Sequence, residues 1–138
     1  MLIVGCPIKN DLRCFQMMYN SLVHSTKSFD KLIIIDGGST DGSLEFCKYL
    51  SKIDDRVELF DIKTKSPLDA YNKLFEIAKE RQADILMTQT DVIFPVLFNR
   101  DWLKEMTDIA KEVKVGAITC FGGGGISGSD YIEGFHWL

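Results

Sequence analysis

The chain predicts an α/β fold, a mostly parallel sheet with helices on both faces. Three observations carry that expectation. Short apolar runs alternate with amphipathic helical stretches along the whole sequence, the signature of strands joined by crossover helices. Residues 32–35 (LIII) are apolar without interruption, as a strand covered on both faces must be. And 138 residues with 46% hydrophobic content suit one domain with a real core. A single domain over 1–138 is therefore expected.

The elements follow in order. LIVGC at 2–6 reads as a buried strand closed by Pro7. From Asn10 and Asp11 a helix runs to about Lys27, with Leu12, Phe15, Tyr19, Leu22 and Val23 at helical spacing. KLIII at 31–35 is the second strand. Behind it, DGGSTDGS holds glycines for the turn and Asp41 as a cap for a second helix through Leu44, Cys47, Leu50 and Ile53. RVELFDI at 56–62 alternates like a half-buried strand. Pro67 opens a third helix ending near Gln82, with Leu68, Tyr71, Leu74, Phe75 and Ala78 inward. DILMT at 84–88 is the fourth strand. A helix from Asp101 runs through Trp102, Met106, Ile109 and Val113, and VGAITCF at 115–121 reads as a fifth strand before a glycine loop.

In such sheets ligands bind at the carboxyl ends of the strands, where the strand order reverses. That rule selects the loops at 6–11, 36–41, 63–70 and 89–95. A turn accounts for Gly37, Gly38, Ser39, Thr40 and Asp41. It does not account for Asp36, whose carboxylate at a strand mouth can accept from a base N–H or from ribose hydroxyls. Asp91, with Gln89 two residues before it, suits a hard divalent cation bridging to phosphate oxygens; the bland alternative is a polar strand end. Asp69 favours a positive helix start, and Asn72 and Lys73 follow it in the first turns.

Several classes are excluded. The net charge of −4 and a pI near 5.1 argue against a broad nucleic-acid surface. Cys6, Cys14, Cys47 and Cys120 form no CxxC pair, so neither a zinc site nor a disulfide framework is expected, and the thiols read as reduced. No run approaches the length of a membrane span. There is no P-loop. The GxGxxG spacing from Gly123 lacks its helix and its downstream acid, and His24 and His136 belong to no triad. The chain is expected to be soluble and intracellular, and an oligomer is compatible with it. The apolar end, YIEGFHWL, reads as the front part of a longer protein.

LIVGCPIKN, IIIDGGSTDGS, DAYNK and QTDV, in this order, resemble family 2 glycosyltransferases of the Rossmann-like GT-A fold. That family carries a Pro-x-x-Asn element, matched by Pro7 to Asn10. Its Asp-[Asp/Gly]-Gly-Ser-Thr-Asp-Gly-[Thr/Ser] segment is matched by 36–43, and its DAxNK segment by 69–73. The resemblance implies a glycosyltransferase with a nucleotide-sugar site, UDP-sugar being the leading donor and the acceptor unassigned. Its binding residues would be Pro7, Lys9, Asn10, Asp36, Gly38, Asp69, Tyr71 and Thr90, with Tyr71 where many members carry Arg. Asp91, with Gln89, would hold Mn²⁺ or Mg²⁺ as the last acid of a DxD motif, here Gln89-Thr90-Asp91 with one acid absent. It further implies that the donor-binding part is present and the acceptor segment, with its base, is missing, so no catalytic base is assigned. The location implied is cytoplasmic, including the inner membrane surface. The rival reading is a non-catalytic nucleotide-sugar-binding or interaction module that kept the scaffold.

Overall fold

A computed structural model of the chain describes residues 1–96 and 100–114. The strand expected at 115–121 and the glycine loop after it lie outside the described residues. The elements are β1 (Leu2–Ile8), α1 (Leu12–Ser25), β2 (Lys31–Asp36), α2 (Ser43–Ile53), β3 (Val57–Asp61), α3 (Pro67–Glu80), β4 (Asp84–Met87) and α4 (Trp102–Val113). The chain divides into two compact units, residues 1–102 and 103–138.

The first unit holds a four-stranded sheet in the order β3-β2-β1-β4, and every pairing is parallel. Alternation of side chains across the sheet separates two cores. Ile3, Ile33 and Ile35 meet Ala70, Leu74, Ile77 and Ala78 of α3, with Phe60, Ile85 and Met87 alongside. Val4, Cys6, Ile8, Leu32 and Ile34 point the other way, the side completed by Phe15, Met18 and Leu22 of α1 and Cys47 and Leu50 of α2.

Gly5 is what lets α3 sit close. A Cβ there would stand 3.0 Å from Leu74 Cδ2 and 3.1 Å from Ile85 Cδ1, space that Leu74 fills instead. This docking rotates the buried stripe of α3 away from the expected one: Leu74 and Ala78 are inward, but Leu68 and Phe75 are 64% and 54% exposed.

Three other expectations are corrected. Pro7 does not close β1; the strand continues to Ile8, pairing Pro7 with Ile35 and Ile8 with Asp36. β4 ends at Met87 opposite Gly5, so β1 is paired on one side only at Pro7, where a missing N–H leaves no ladder bond unmade. In α1 the buried residues are Phe15, Met18, Leu22 and Ser25; Tyr19 is half-buried, and its hydroxyl donates to Asp54 at 3.2 Å. In α4 the buried residue is Leu103, while Ile109 and Val113 are exposed. Trp102 stacks on Phe94 at 5.0 Å, and its indole N–H donates to Ser25 Oγ. No described helix is long and apolar enough to cross a membrane.

Candidate functional site

Strand order fixes where a crevice opens. β1 to β2 to β3 steps one way across the sheet, and β4 returns to the far side of β1. The reversal lies between the carboxyl ends of β1 and β4, the place where open α/β sheets receive ligands. Residues 9–11 and 88–91 flank it, and the β2 turn stands one strand away.

The β1 and β2 loops are laced together. Asn10, at φ 52, a conformation Asn tolerates better than most residues, receives the Thr40 amide on its carboxamide oxygen at 2.7 Å. Its own amide donates to Ser39 Oγ. The Asp11 amide donates to Ser43 Oγ. The Asp41 carboxylate accepts from the Leu12 amide and from the amide and hydroxyl of Ser43. Those bonds, the Ser43 hydroxyl foremost, hold the Asp41 carboxyl below the usual range. So Asp41 serves the starts of both α1 and α2 from just outside them, and the helix cap itself is Gly42 at φ 94.

Asp36 is fully buried. Its Oδ1 accepts from the Gly38 and Ser39 amides at 2.9 and 2.8 Å, an Asx-type closure of the turn. Its Oδ2 is buried with no hydrogen-bond partner among the described residues. Alternation places Asp36 on the same face as Ile34, and its charge contributes, after burial, to pushing the Cys47 thiol up to about 12. The carboxylate therefore does not stand open in the crevice as expected; it sits beneath the turn. Above it, a Cβ at Gly37 would meet Thr64 Oγ1 at 2.8 Å and Lys9 Cδ at 3.5 Å, and one at Gly38 would meet Lys63 Cγ at 3.6 Å.

Lys63 and Thr64 also line a cleft of about 520 Å³ beside α3, with Lys65, Asp69, Asn72 and Lys73. Asp69 is committed to the helix start: its Oδ2 accepts from the Lys65 and Ser66 amides, while its own amide donates to Ser66 Oγ, a reciprocal capping box. Lys73 pairs with Glu76. Tyr71 is half-buried on the same helix.

Across the switch point, Gln89 and Asp91 are exposed and Thr90 half-buried. The Thr90 hydroxyl donates to Asp11 Oδ2. Among the described residues no three His, Cys, Asp or Glu side chains gather into a cation cage. A hard cation does not need one: Mg²⁺ commonly takes one or two carboxylates and completes its shell with substrate phosphates and water. Asp91, an exposed carboxylate beside the switch point, fits that mode.

The structure thus brings Pro7, Lys9, Asn10, Asp36, Gly38 and Thr90 to the carboxyl edge beside Gln89 and Asp91, and sets Asp69 and Tyr71 on α3. Of these, Asn10, Asp69 and Thr90 each spend an acceptor or donor on holding loops. Sequence reasoning missed Asp11, Lys63 and Thr64. An acid just before a helix reads as a cap, and nothing local announces a bond spanning 79 positions.

The profile described as Glycosyl transferase family 2 matches residues 4–131. No curated protein matches. Among solved structures, the mannosyltransferase PcManGT from Pyrobaculum calidifontis, in complex with GDP-Man and Mn²⁺, aligns with a TM-score of 0.70 at 18% identity, over 88% of this chain and 35% of that one. TarS 1–349 from S. aureus, in complex with UDP, aligns with a TM-score of 0.65 at 18% identity, over 93% and 38%. At such identity the likeness speaks to the fold, and this chain spans only those fractions of the two structures.

Proposed function

The chain belongs to glycosyl transferase family 2 and has the parallel α/β sheet of its GT-A neighbours, and from that premise we propose that it binds a nucleoside-diphosphate sugar and serves transfer of the sugar to an acceptor hydroxyl. The observation that carries this reading is that the carboxyl end of the sheet presents both an exposed carboxylate at the switch point, Asp91, and exposed lysines beside the β2 turn, Lys9 and Lys63. An acid suits a cation, and lysines suit phosphate oxygens.

In this reading Asp36 does two things. Oδ1 builds the turn, and Oδ2 is the acceptor left for an N–H of the base once Lys9 and Thr64 turn aside from Gly37. Gly38, at φ 91, lets backbone approach the ribose. Pro7, Asn10 and Thr90 shape the floor, and Asp69 with Tyr71 presents the α3 wall. Asp91, assisted by Gln89, would hold Mn²⁺ or Mg²⁺. When bound, such a cation offsets the negative charge that grows on the departing nucleoside diphosphate. UDP is the nucleotide we favour, since TarS binds it, with GDP the next, as in the mannosyltransferase.

Calorimetry with UDP, GDP and TDP in the presence of Mn²⁺ tests the reading, and folded protein that binds none of them refutes it. Asp36→Asn tests the base contact alone. The carboxamide keeps the Oδ1 acceptor, so the fold should survive, while an NH₂ in place of Oδ2 should cut nucleotide affinity about tenfold or more. Unchanged affinity would assign Asp36 to the turn only. A second reading, donor binding without transfer, is favoured by Gln89 standing where the family has an acid. Nucleotide binding without transfer or donor hydrolysis, in a chain extended to the length of its relatives, would select it.

A further inference from the structure

We infer that Asp11 is a positioning residue for the cation-holding loop: its carboxylate grips Thr90 and thereby aims Asp91 into the crevice between β1 and β4. This rests on the donor-site reading above and assigns a role to a residue outside that reading's ligand set.

Asp11 stands where a helix cap is expected, yet its side chain makes no capping bond. The task is done by others: Asp41 takes the Leu12 amide, and Ser43 Oγ takes the amide of Asp11 itself. With its backbone tied from outside, the Asp11 side chain is released from helix duty and crosses the switch point to accept the Thr90 hydroxyl. The Asp11 carboxylate also acts on the Cys14 thiol, one turn along α1, and is the chief reason that thiol is pushed up. Asp91 follows Thr90 directly, and its charge, like that of Asp11, is felt at both Cys6 and Cys14. The two acids therefore border one small region.

The loop needs such a grip. The last ladder-like bond on this strand is from the Thr88 amide to the Gly5 carbonyl. Beyond it, among the described residues of the loop, the backbone–backbone bond is a long one, Val92 amide to Gln89 carbonyl at 3.4 Å. Thr90 lies between them, so its hydroxyl is the side-chain tether next to the peptide carrying Asp91, and the following tie is the Phe94 amide to Ser21 Oγ, three residues past Asp91. Ligands whose orientation is set by outer hydrogen bonds bind metal more tightly, and removing such a partner typically costs about 10–100-fold in affinity.

The test titrates Mn²⁺ in the presence of UDP or GDP, reading free Mn²⁺ by electron paramagnetic resonance, with a urea midpoint for every variant. Asp11→Ala and Thr90→Val should each weaken Mn²⁺ binding about 10–100-fold. The double variant should be no weaker than either single one, because both break the same bond. Thr90→Ser and Asp11→Asn, which keep donor and acceptor, should restore most of the affinity at an unchanged midpoint. Folded Thr90→Val that binds Mn²⁺ as the wild type does overturns the inference, as do losses that add in the double variant. Wild type that binds nucleotide without Mn²⁺ overturns it together with the metal part of the donor-site reading. Wild type that binds Mn²⁺ with all variants unchanged overturns the inference alone.

Discussion

At the scale of single residues, the polar side chains of the carboxyl edge serve backbone groups before any ligand. Asn10 shows it best, because two demands meet there: a left-handed backbone at φ 52 and an acceptor for the Thr40 amide. Asn10→Ala fails both and should cost about 1–2 kcal/mol in urea unfolding. Asn10→Gly restores the backbone freedom and should recover part of that loss. If Asn10 acted chiefly on the ligand, nucleotide affinity would fall while both midpoints stayed put. The residue types were legible in sequence, since Asn, Ser and Asp at strand mouths announce polar work. Which group each would bond was not, because Asn10 with Thr40 and Asp11 with Thr90 are pairings made by the folded sheet.

At the scale of elements, existence and type followed from period and punctuation, and the eight elements of the described residues stand in the expected order. What the periodicity misjudged was rotation about the helix axis. In α3, Leu68, Tyr71, Leu74, Phe75 and Ala78 form a credible stripe, but the inward set is Ala70, Leu74, Ile77 and Ala78. The difference lies in the surface it meets: bare backbone at Gly5 draws Leu74 onto the sheet and small alanines beside it. Gly5→Ala should therefore overpack this contact and cost about 1–3 kcal/mol, seen as a lower urea midpoint with an unchanged slope. A neutral result would mean that α3 slides outward freely, and that the Leu74 contact does not set its position.

For the whole molecule, the parallel arrangement was readable from alternation, whereas the order β3-β2-β1-β4 needed the structure. That order makes 9–11 and 88–91 direct neighbours, which the alternation of elements alone does not specify. Global stability should also carry an acid limb. The Arg56 guanidinium, with help from its amide and the Tyr19 hydroxyl, holds Asp54 at about 2, and Arg81 with Lys31 holds Glu58 below its ordinary value. Folded-state values that are depressed give stability that is present above the unfolded carboxyl range and lost as pH falls toward the folded value. Urea midpoints should then drop between about pH 4 and pH 2, and Asp54→Asn should flatten that drop while lowering the midpoint at neutral pH. An equally steep limb in the variant would place the titration elsewhere.

The lacing of the first two loops has a consequence for how this sequence can be altered. Bonds between Asn10, Asp11 and Leu12 on one side and Ser39, Thr40, Asp41 and Ser43 on the other make two distant stretches into one mechanical part. A graft of DGGSTDGS alone into another sheet would arrive without its clasp, and a swap of the 8–12 loop alone would strand Asp41 with half its partners. The portable module is the pair, and the two stretches are bound to accept changes together or to refuse them together.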